Sequence, residues 1–424
     1  MKKFLIIFFI LLTLGIGYFI ITNMINKIPE LKVEKEKVNI SEYYIYGTTM
    51  NMKGTLNIKE EDYKSLDLIF YNGKFISKKI NITNTDSGIE LSFSDQLNSG
   101  MSLEDFQEKG TFYMFIRATY DDTSSDEDVY KYYALDNKTK YKDTTYYTLS
   151  QTNKKIIINS SNDYSTMAFN VSDNNDSNVY DIVIDPGHGG RDGGAEANGH
   201  KETDFTLPIA LKIKKGLEKA GIKVKLTREE NTLTKNERLS NYGEHGRAVI
   251  PGEVHAKYLI SVHVNSNNYS YVNGLEVFTP YNINYDFAQT LANNIVNYTG
   301  LNYSSSKISK MFNGVYTRTF TTSEIEDSIK ESKEEQREPY IITTNSNYYY
   351  MIRETGGYMT GAYVDGRDTD IGKNPYYNSN VGCESYITEL GYITNSGDTE
   401  LLINNEDKYA NAIIDAIKTE LSVK

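Results

Sequence analysis

The hydrophobic pattern of the chain changes at a polar segment, SDNNDSNV, which occupies residues 172–179. Before this segment, short runs rich in aromatic and β-branched residues follow one another, and such runs are typical of strands. After it, strand patterns alternate with helix patterns, as they do in an α/β sheet that binds ligands at the carboxyl ends of its strands. The sequence therefore predicts two folded regions joined by a polar linker in this chain of 424 residues.

The first region, residues 40–172, is predicted to be an all-β, sandwich-like domain. Asn72 and Gly73 stand between the runs SLDLIFY and KFISKKI, and this dipeptide is a strong signal for a hairpin turn. The polar stretch at residues 121–128 is predicted to connect two further strands. Tyrosines in such strands can pack in the core or stack on sugar rings, and we expect packing.

An apolar stretch, FLIIFFILLTLGIGYFII, follows Lys2 and Lys3 at the amino terminus. Its 18 residues are close to the lower limit for a membrane-spanning helix. Preceding lysines favour a cytoplasmic amino terminus, and no small-residue cleavage site follows. We therefore expect residues 1–29 to be an uncleaved signal anchor in the cell membrane, single-pass, with both folded regions extracellular. Cleavage of the segment would give a secreted protein instead.

The charge and the cysteine content exclude some classes of protein. A formal net charge of −12 argues against binding of nucleic acid and against loose attachment to anionic lipid or polymer. Cys383 is the single cysteine, so the chain has no internal disulfide, and we expect this residue to be a small buried hydrophobic side chain.

Two histidines end predicted strands of the second region, residues 180–424. His188 lies in IVIDPGHGGRDGGA among five glycines, which allow other groups to approach the backbone closely. His263 lies in LISVHVNS, where strand alternation places Ser261, His263 and Asn265 on the same face. All five histidines of the chain fall within residues 188–263, a clustering that suggests a site.

Two glutamates complete the candidate site. Glu202, in HKETDF, precedes the first predicted helix, and two imidazoles with one carboxylate can bind Zn²⁺ and leave a fourth position open. Manganese or iron stays possible with this donor set. Glu389 lies in the largely apolar run YITELGYITN, where a carboxylate is costly unless it is paired or useful as a general acid and base. From the residues alone, a metal site and ordinary burial are both open.

Several segments, taken in order, resemble the zinc-dependent N-acetylmuramoyl-L-alanine amidases of bacterial cell-wall turnover. They are IVIDPGHGGRDGGA, the Glu after HK, LTREE, NERL, LISVHVNS, GLEVF and ITELGYITN, and the resemblance covers residues 181–424. It implies a twisted mixed sheet flanked by helices and peptidoglycan as the substrate. It also implies that His188, Glu202 and His263 bind zinc and that Glu389 is catalytic.

Further residues are assigned as secondary candidates. Asn265, Arg353 and His200 are predicted to contact the substrate, Arg353 by pairing with a peptide carboxylate. The alternative role of Asn265 is to orient His263. Asp185 is expected to support a ligand or to form a turn, and Arg228 is expected to be structural.

The chain departs from the family pattern in one important respect: it carries an insertion at about residues 302–350, which includes the charge-dense stretch 323–339. A solvated surface helix is the simple interpretation of this stretch. In some family members an inserted helix blocks the zinc until an activator moves it, so a lid opened by a protein activator is the alternative hypothesis.

Two other functions remain open from the sequence. A zinc peptidase that acts on cell-wall peptides would use the same ligand set, since carboxypeptidases also bind zinc through two histidines and a glutamate. A non-catalytic wall-binding protein with a degenerate amidase-like domain is the second alternative. The presence of every expected ligand and of Glu389 argues against it.

Overall fold

A computed structural model describes the chain from residue 31 to residue 423. The residues left out within this range are 59–62, 79, 86–87, 95, 97–99, 122–127, 137, 142–143, 233–244, 282, 307–309, 337–338 and 361–373. The predicted signal anchor, residues 1–29, lies outside the described residues. Of the helices in the described ranges, none has the length and apolar character needed to cross a membrane.

The N-terminal region is rich in β-structure, as predicted, and its first strand begins before the predicted boundary at residue 40. Among the described residues the elements of this region are β1 Val33–Tyr46, β2 Thr49–Leu56, β3 Ser65–Tyr71, β4 Phe75–Lys78, β5 Asn81–Thr85, β6 Gly88–Phe93, β7 Met101–Ser102, β8 Gly110–Asp121, β9 Asp128–Asp136, α1 Lys138–Tyr141, β10 Thr144–Tyr147, β11 Lys154–Ser160 and β12 Met167–Asp173.

Strand β8 divides the sheet of this region into two arms. One edge of β8 pairs with β3, while the other edge pairs first with β12 and then with β9. The arms are β12–β11–β10 and β9–β1–β2–β6–β5, and both contribute to one apolar core. Within it, Phe70 of β3 packs edge-to-face on Phe169 of β12, with ring centroids 5.3 Å apart. Alternating burial along β6, for example, supplies Ile89, Leu91 and Phe93 to this core.

The predicted hairpin between β3 and β4 is present. The last paired residues are Tyr71 and Phe75, so its loop comprises residues 72–74 and is one residue longer than the sequence suggested. Gly73 has φ of 97°, a conformation that glycine adopts without strain.

The C-terminal region alternates strands and helices. Its described elements are β13 Ile182–Pro186, β14 Glu196–Ala197, β15 His200–Lys201, α2 Thr203–Lys219, β16 Val224–Leu226, α3 Ile250–Glu253, β17 Tyr258–Asn265, β18 Glu276–Phe278, α4 Asp286–Thr299, β19 Val315–Tyr316, α5 Thr322–Glu334, α6 Tyr350–Thr355, β20 Val381–Gly382, β21 Glu384–Tyr392 and α7 Ser396–Glu420.

Six of these strands form a mixed sheet in the order β16–β13–β17–β21–β18–β19. The first four are parallel, whereas β18 runs antiparallel to β21. Ile260 and Val262 of β17 belong to the apolar core that includes α2, α4 and α7. Leu259 belongs to a second core on the opposite face, which includes residues of α3 and α6. Strand alternation therefore positions β17 as predicted, with helices on both faces of the sheet.

Helix α2 contains a proline, Pro208. Proline is tolerated best in the first turn of a helix, where its missing N–H has no consequence. The helix begins at Thr203, however, so that Pro208 lies in its second turn. Phe205 and Ile209, on either side of the proline, are buried in the core, and their packing extends the helix towards its amino end.

The two regions are joined by direct contacts. Strand β20 pairs in parallel with β1, so that a segment of the C-terminal region extends the N-terminal sheet. The Asp181 carboxylate, next to β13, accepts hydrogen bonds from the backbone N–H of Ser150 at 2.6 Å and from its hydroxyl at 2.5 Å. The N-terminal region thus supports the start of the strand that leads to the candidate site.

Candidate active site

The loop that follows β13 is held by two buried arginines. Arg228 donates to the carbonyl oxygens of Pro186 at 3.0 Å and of Gly187 at 2.8 Å. Arg247 donates to the carbonyl oxygen of Pro186 at 2.8 Å and to that of His188. His188 has φ of 56°, which is uncommon for a residue other than glycine. The guanidinium groups therefore fix the backbone in the conformation that presents the imidazole.

Asp185 of β13 stabilises this arrangement through hydrogen bonds. Its buried carboxylate accepts hydrogen bonds from Thr227 Oγ1 at 2.5 Å, Ser261 Oγ at 2.6 Å and Arg247 at 2.9 Å. Burial opposes ionisation of Asp185, but Arg247 and the two hydroxyls outweigh it and lower the pKa of the carboxyl. Asp185 thus links β13 to β17 and to the residue that follows β16. The sequence had suggested support of a ligand or a turn, and these hydrogen bonds reach the His188 loop through Arg247.

The structure brings His188, Glu202 and His263 together from three separate elements. Nε2 of His188 lies 3.0 Å from Oε2 of Glu202, and Nδ1 of His263 lies 2.9 Å from Oε1 of the same carboxylate. One potential ligand atom from each residue lies within 4.8 Å of those of the other two. Two imidazole nitrogens and one carboxylate oxygen at this spacing fit the donor set of a Zn²⁺ site.

Two glycines provide the space for these side chains. A Cβ atom on Gly187 would lie 2.4 Å from Cε1 of His263. A Cβ atom on Gly194 would lie 2.5 Å from Oε2 of Glu202, and this glycine also has φ of 70°. The glycine-rich stretch therefore allows the backbone to pass directly beside the ligand group.

Hydrogen bonds orient the ligand side chains. Nδ1 of His188 lies 2.9 Å from Oδ2 of Asp192, which leaves Nε2 directed at Glu202. Oε1 of Glu202 accepts from the backbone N–H of Val264 at 2.9 Å, and Oε2 accepts from that of Ala195 at 3.3 Å. Partners of this kind fix the ring orientation and raise the basicity of metal ligands. Asp192 was missed in the sequence, although it stands within the same glycine-rich motif.

His188, Glu202 and His263 shift one another's pKa values. Burial lowers the pKa of His188, but the hydrogen bond and the charge of Glu202 outweigh it and raise the pKa to about 9. The pKa of His263 is raised in the same way, against burial, by Glu202 and by Glu389. Burial raises the pKa of Glu202, but both histidines lower it well below its usual range. The group therefore favours bound positive charge, whether protons or a cation.

Glu389 lies next to His263 in the parallel pairing of β17 with β21. Its Oε2 atom is buried and has no hydrogen-bond partner among the residues that the structure describes. Burial is the main reason that the pKa of Glu389 is raised to about 7, with the charges of Glu202 and Glu276 adding to it and His263 opposing it. A carboxyl group with such a pKa can accept and donate a proton near neutral pH.

Glu276 is a buried residue of the site that the sequence reasoning missed. It accepts hydrogen bonds from Asn265 Nδ2 at 2.9 Å, from Ser304 Oγ at 2.7 Å and from the Tyr392 hydroxyl at 2.7 Å. Asn265, predicted to contact the substrate, thus donates to Glu276, and its Oδ1 accepts from the backbone N–H of Ser266 at 2.7 Å. The only sequence signal was a glutamate in the apolar run GLEVF.

Arg353 lies outside this group. Its side chain is only 3% exposed, and the guanidinium donates to Glu354 at 3.1 Å and to the carbonyl oxygens of Asn347 at 3.0 Å and Tyr348 at 2.6 Å. This arrangement holds a turn of the chain rather than a substrate carboxylate, because burial and these bonds engage the charged group internally.

His200, the third substrate-binding candidate, packs on the ring of Phe205 with centroids 5.4 Å apart. Its Nδ1 lies 3.9 Å from Asp204, and the ring does not belong to the ligand group. Cys383 is buried, as expected, and burial raises the pKa of its thiol far above the usual range.

Most of helix α5, Thr322–Glu334, lies in the charge-dense stretch 323–339. Thr321 and Glu324 form a capping box at its start, and Glu324 also pairs with Arg318. In the described part of the chain, no side chain of this helix belongs to the metal-ligand group. The lid and its activator therefore stay a prediction.

The chain is similar to known proteins over its C-terminal region. The family model for N-acetylmuramoyl-L-alanine amidases matches residues 182–419. The probable cell wall amidase LytH of Staphylococcus saprophyticus is 39% identical over 101 residues, which are 23% of this chain and 30% of that protein. Its counterpart in Staphylococcus aureus is 33% identical over 115 residues, or 26% and 35% of the two chains. The match thus spans about a third of the length of these curated relatives.

Two solved structures of amidases are similar to part of this chain. The catalytic domain of CwlV, an N-acetylmuramoyl-L-alanine amidase from Bacillus (Paenibacillus) polymyxa, has 20% identity and a TM-score of 0.37 over 58% of this chain and 100% of its own. The CwlD amidase of Clostridioides difficile, solved with the GerS lipoprotein, has 21% identity and a TM-score of 0.35 over 58% and 100%. Since the family model covers more than half of its length, the chain belongs to the N-acetylmuramoyl-L-alanine amidase family.

Proposed function

We propose that this protein hydrolyses the amide bond between N-acetylmuramic acid and L-alanine in peptidoglycan, with Zn²⁺ held by His188, Glu202 and His263. Family membership supplies the reaction class. The observation that carries the proposal is the buried Oε2 of Glu389, which has no hydrogen-bond partner in the described part of the chain and lies on the strand next to His263. A buried carboxylate oxygen without a partner is costly, and its retention here is accounted for by proton transfer.

The ligand residues have separate tasks in this proposal. Zinc, when bound, lowers the pKa of water and polarises a carbonyl oxygen. The His188 imidazole is oriented through Asp192 and presents Nε2, while Glu202 is fixed by two backbone N–H groups. The buried arginines hold the loop so that little reorganisation is needed.

Glu389 moves the proton. A water oxygen attacks the lactyl carbonyl carbon of the muramic acid, and Oε2 of Glu389 accepts the proton that this water loses. The carbon–nitrogen bond then breaks, and the same carboxyl group delivers the proton to the alanine nitrogen. The products are a lactyl carboxylate on the glycan and a stem peptide with a free amino terminus.

The location of the protein is part of the proposal. The apolar stretch at residues 4–21, preceded by two lysines, supports anchoring in the cell membrane with the catalytic region on the outer side. Peptidoglycan lies on that side. Fractionation of cells that express the full chain, followed by protease treatment of intact protoplasts, tests this: an anchored external domain is digested and an internal one is protected.

Digestion of purified peptidoglycan by the full chain tests the activity. Mass analysis should find intact stem peptides that begin with a free L-alanine. Glu389→Gln should lower the rate by about 10²- to 10⁴-fold with zinc still bound, because general acid–base catalysis contributes factors of this size. Glu400→Gln, which changes an exposed glutamate of α7, is the matched control and should leave the rate unchanged.

Other products would support the alternatives. Cleavage between amino acids of the stem peptide would identify a zinc peptidase. Binding to peptidoglycan with no release of peptide by the wild type would identify a non-catalytic wall-binding protein.

A further inference from the structure

The connection between β17 and β18 carries two exposed tyrosines. Tyr269 and Tyr271 are 62% and 72% exposed, more than any other aromatic side chain among the described residues. Their rings are stacked on each other, with centroids 5.4 Å apart and an interplanar angle of 29°. Large exposed apolar surface of this kind is uncommon without a binding role.

This connection is attached to the sheet at the carboxyl ends of β17 and β21, the strands that carry His263 and Glu389. The backbone N–H of Asn267 donates to Thr394 Oγ1 at 3.1 Å, and Asn395 Nδ2 donates to the carbonyl oxygen of Ser270 at 2.8 Å. Thr394 and Asn395 directly follow β21, the strand that carries Glu389. The tyrosines are therefore held on a fixed loop at the ends of the two strands that supply the site.

The tyrosines are also close to the site along the chain. Tyr269 follows the ligand His263 by six residues, a span of at most about 20 Å even when fully extended. The backbone N–H of Tyr269 donates to Asn267 Oδ1 at 3.0 Å, and that of Val272 donates to the carbonyl oxygen of Tyr269 at 3.1 Å. These turns shorten the span further, so the backbone of Tyr269 lies within about 20 Å of His263.

The chemistry of the loop indicates what it binds. The segment VNSNNYSYVNGL, residues 264–275, has amides, hydroxyls and aromatic rings but no charged side chain. A stem peptide, whose amino acids carry charged groups, would require charged partners. A hexosamine ring offers an apolar face of C–H groups for stacking, and its hydroxyl and acetamide groups match neutral hydrogen-bonding partners.

We propose that Tyr269 and Tyr271 form a platform that binds uncharged hexosamine rings of the glycan strand next to the muramic acid whose amide is cleaved. This inference rests on the proposed function and extends it to the glycan side of the substrate. The stacked pair presents an aromatic surface that is already in place before the glycan binds, which reduces the entropic cost of binding.

Three variants of the full chain separate this role from a structural one. The double variant Tyr269→Ala/Tyr271→Ala removes both ring faces, and Tyr269→Phe/Tyr271→Phe keeps them. Tyr130→Ala is the matched control, because Tyr130 is an exposed tyrosine, 47% exposed, on β9 of the N-terminal region. On polymeric peptidoglycan, the alanine variant should raise KM about ten-fold with little change in kcat, since two aromatic contacts together contribute about one decade.

A substrate with one sugar provides the contrast. On a muramoyl peptide that has no neighbouring hexosamine, the alanine variant should have the same KM and kcat as the wild type. The phenylalanine variant and Tyr130→Ala should match the wild type on both substrates. The proposal would be overturned if the alanine variant had an unchanged KM on the polymer. It would also be overturned if the KM of that variant rose equally on both substrates.

Binding without catalysis is measured by isothermal titration with a chitin tetrasaccharide as the probe. The wild type and the phenylalanine variant should bind it, and the alanine variant should bind about ten-fold more weakly. Equal binding by the wild type and the alanine variant, or no binding by the wild type, would overturn the platform. A wild type that binds the probe but releases no stem peptide would instead contradict the proposed function and leave the platform standing.

Discussion

Glu276 and Glu389 lie directly opposite each other in the antiparallel pairing of β18 with β21. Glu276 accepts hydrogen bonds from Asn265, Ser304 and Tyr392, whereas Oε2 of Glu389 has no partner among the described residues. The pair thus divides into one carboxylate held by donors and one carboxyl group free for proton transfer. Environments that separate two acidic groups in this way are typical of acid–base sites.

Replacing Glu276 should shift the pH dependence of catalysis. Burial first, and then the negative charge of Glu276 among others, raises the pKa of Glu389, so Glu276→Gln should lower that pKa. Because Glu389 must be ionised to accept a proton, the acid limb of kcat/KM against pH should move to lower pH. An acid limb that stays in place or moves to higher pH would contradict the assigned coupling.

The same substitution should cost stability. A glutamine places an N–H₂ group where the carboxylate oxygens now accept three hydrogen bonds, so one donor must lose its partner. The expected loss is about 1–3 kcal/mol in the free energy of unfolding. Urea denaturation measures it, with Glu400→Gln as the exposed control that should show no loss.

In the metal-free protein, Glu389→Gln should increase stability at alkaline pH. The pKa of Glu389 is raised from 4.5 to about 7 on folding, mainly by burial, so ionisation of this group opposes folding. That penalty is absent below pH 4.5, grows between pH 4.5 and 7, and is complete above pH 7. The variant should be more stable than the wild type by on the order of 2 kcal/mol at pH 8. Near pH 5 most of this gain should vanish.

Urea denaturation in the presence of a chelator, at both pH values, measures this difference. A variant that is less stable than the wild type at pH 8 would show that the Glu389 carboxylate stabilises the fold and would remove the argument that it is kept for chemistry.

Zinc affinity should rise with pH. His188, whose pKa is raised from 6.5 to about 9 by Glu202 against the effect of burial, must lose its proton to bind a metal ion. The imidazolium–carboxylate pair stabilises the metal-free fold fully below pH 6.5 and ceases to do so as the pH rises through 9. Titration calorimetry in buffers of different ionisation enthalpy should therefore detect proton release on zinc binding, and affinity that is independent of pH would exclude the pairing.

Gly194→Ala should weaken zinc binding more than Gly199→Ala does. Both glycines have positive φ, 70° and 80°, so both substitutions carry a similar backbone penalty, on the order of 1 kcal/mol. Only at Gly194 would the new methyl group collide with Glu202 and His188, whereas nothing lies within 4 Å of a Cβ on Gly199. We expect at least a roughly ten-fold loss of zinc affinity for Gly194→Ala alone. Equal affinities in the two variants would mean that the ligand group can move away from the backbone.

The sequence was sufficient for the parts of the site that depend on local pattern. Strand alternation placed His263 and Asn265 on one face of β17, and the glycine-rich motif marked the backbone around His188. The amidase family follows from the same motifs, and the family model confirms it. These features are visible in sequence because each is set by a few neighbouring residues.

Other parts depend on contacts between distant segments and could not be predicted. Arg247 is 59 residues from the His188 carbonyl that it binds, and Glu276 is 116 residues from Tyr392. Arg353 shows the opposite case, since its residue type suggested substrate binding but tertiary burial engages it internally. The pairing of β20 with β1 was also invisible, because a two-residue strand has no periodicity to detect.

Metal dependence, measured on the full chain with its metal content, tests the central claim most directly. Elemental analysis should find one zinc ion per chain, and removal of zinc by a chelator should abolish release of stem peptide from peptidoglycan. Activity should return when zinc is restored to the wild type, but not when it is added to His263→Ala. Release of stem peptide at the original rate by the zinc-free protein, or by His263→Ala, would contradict the account.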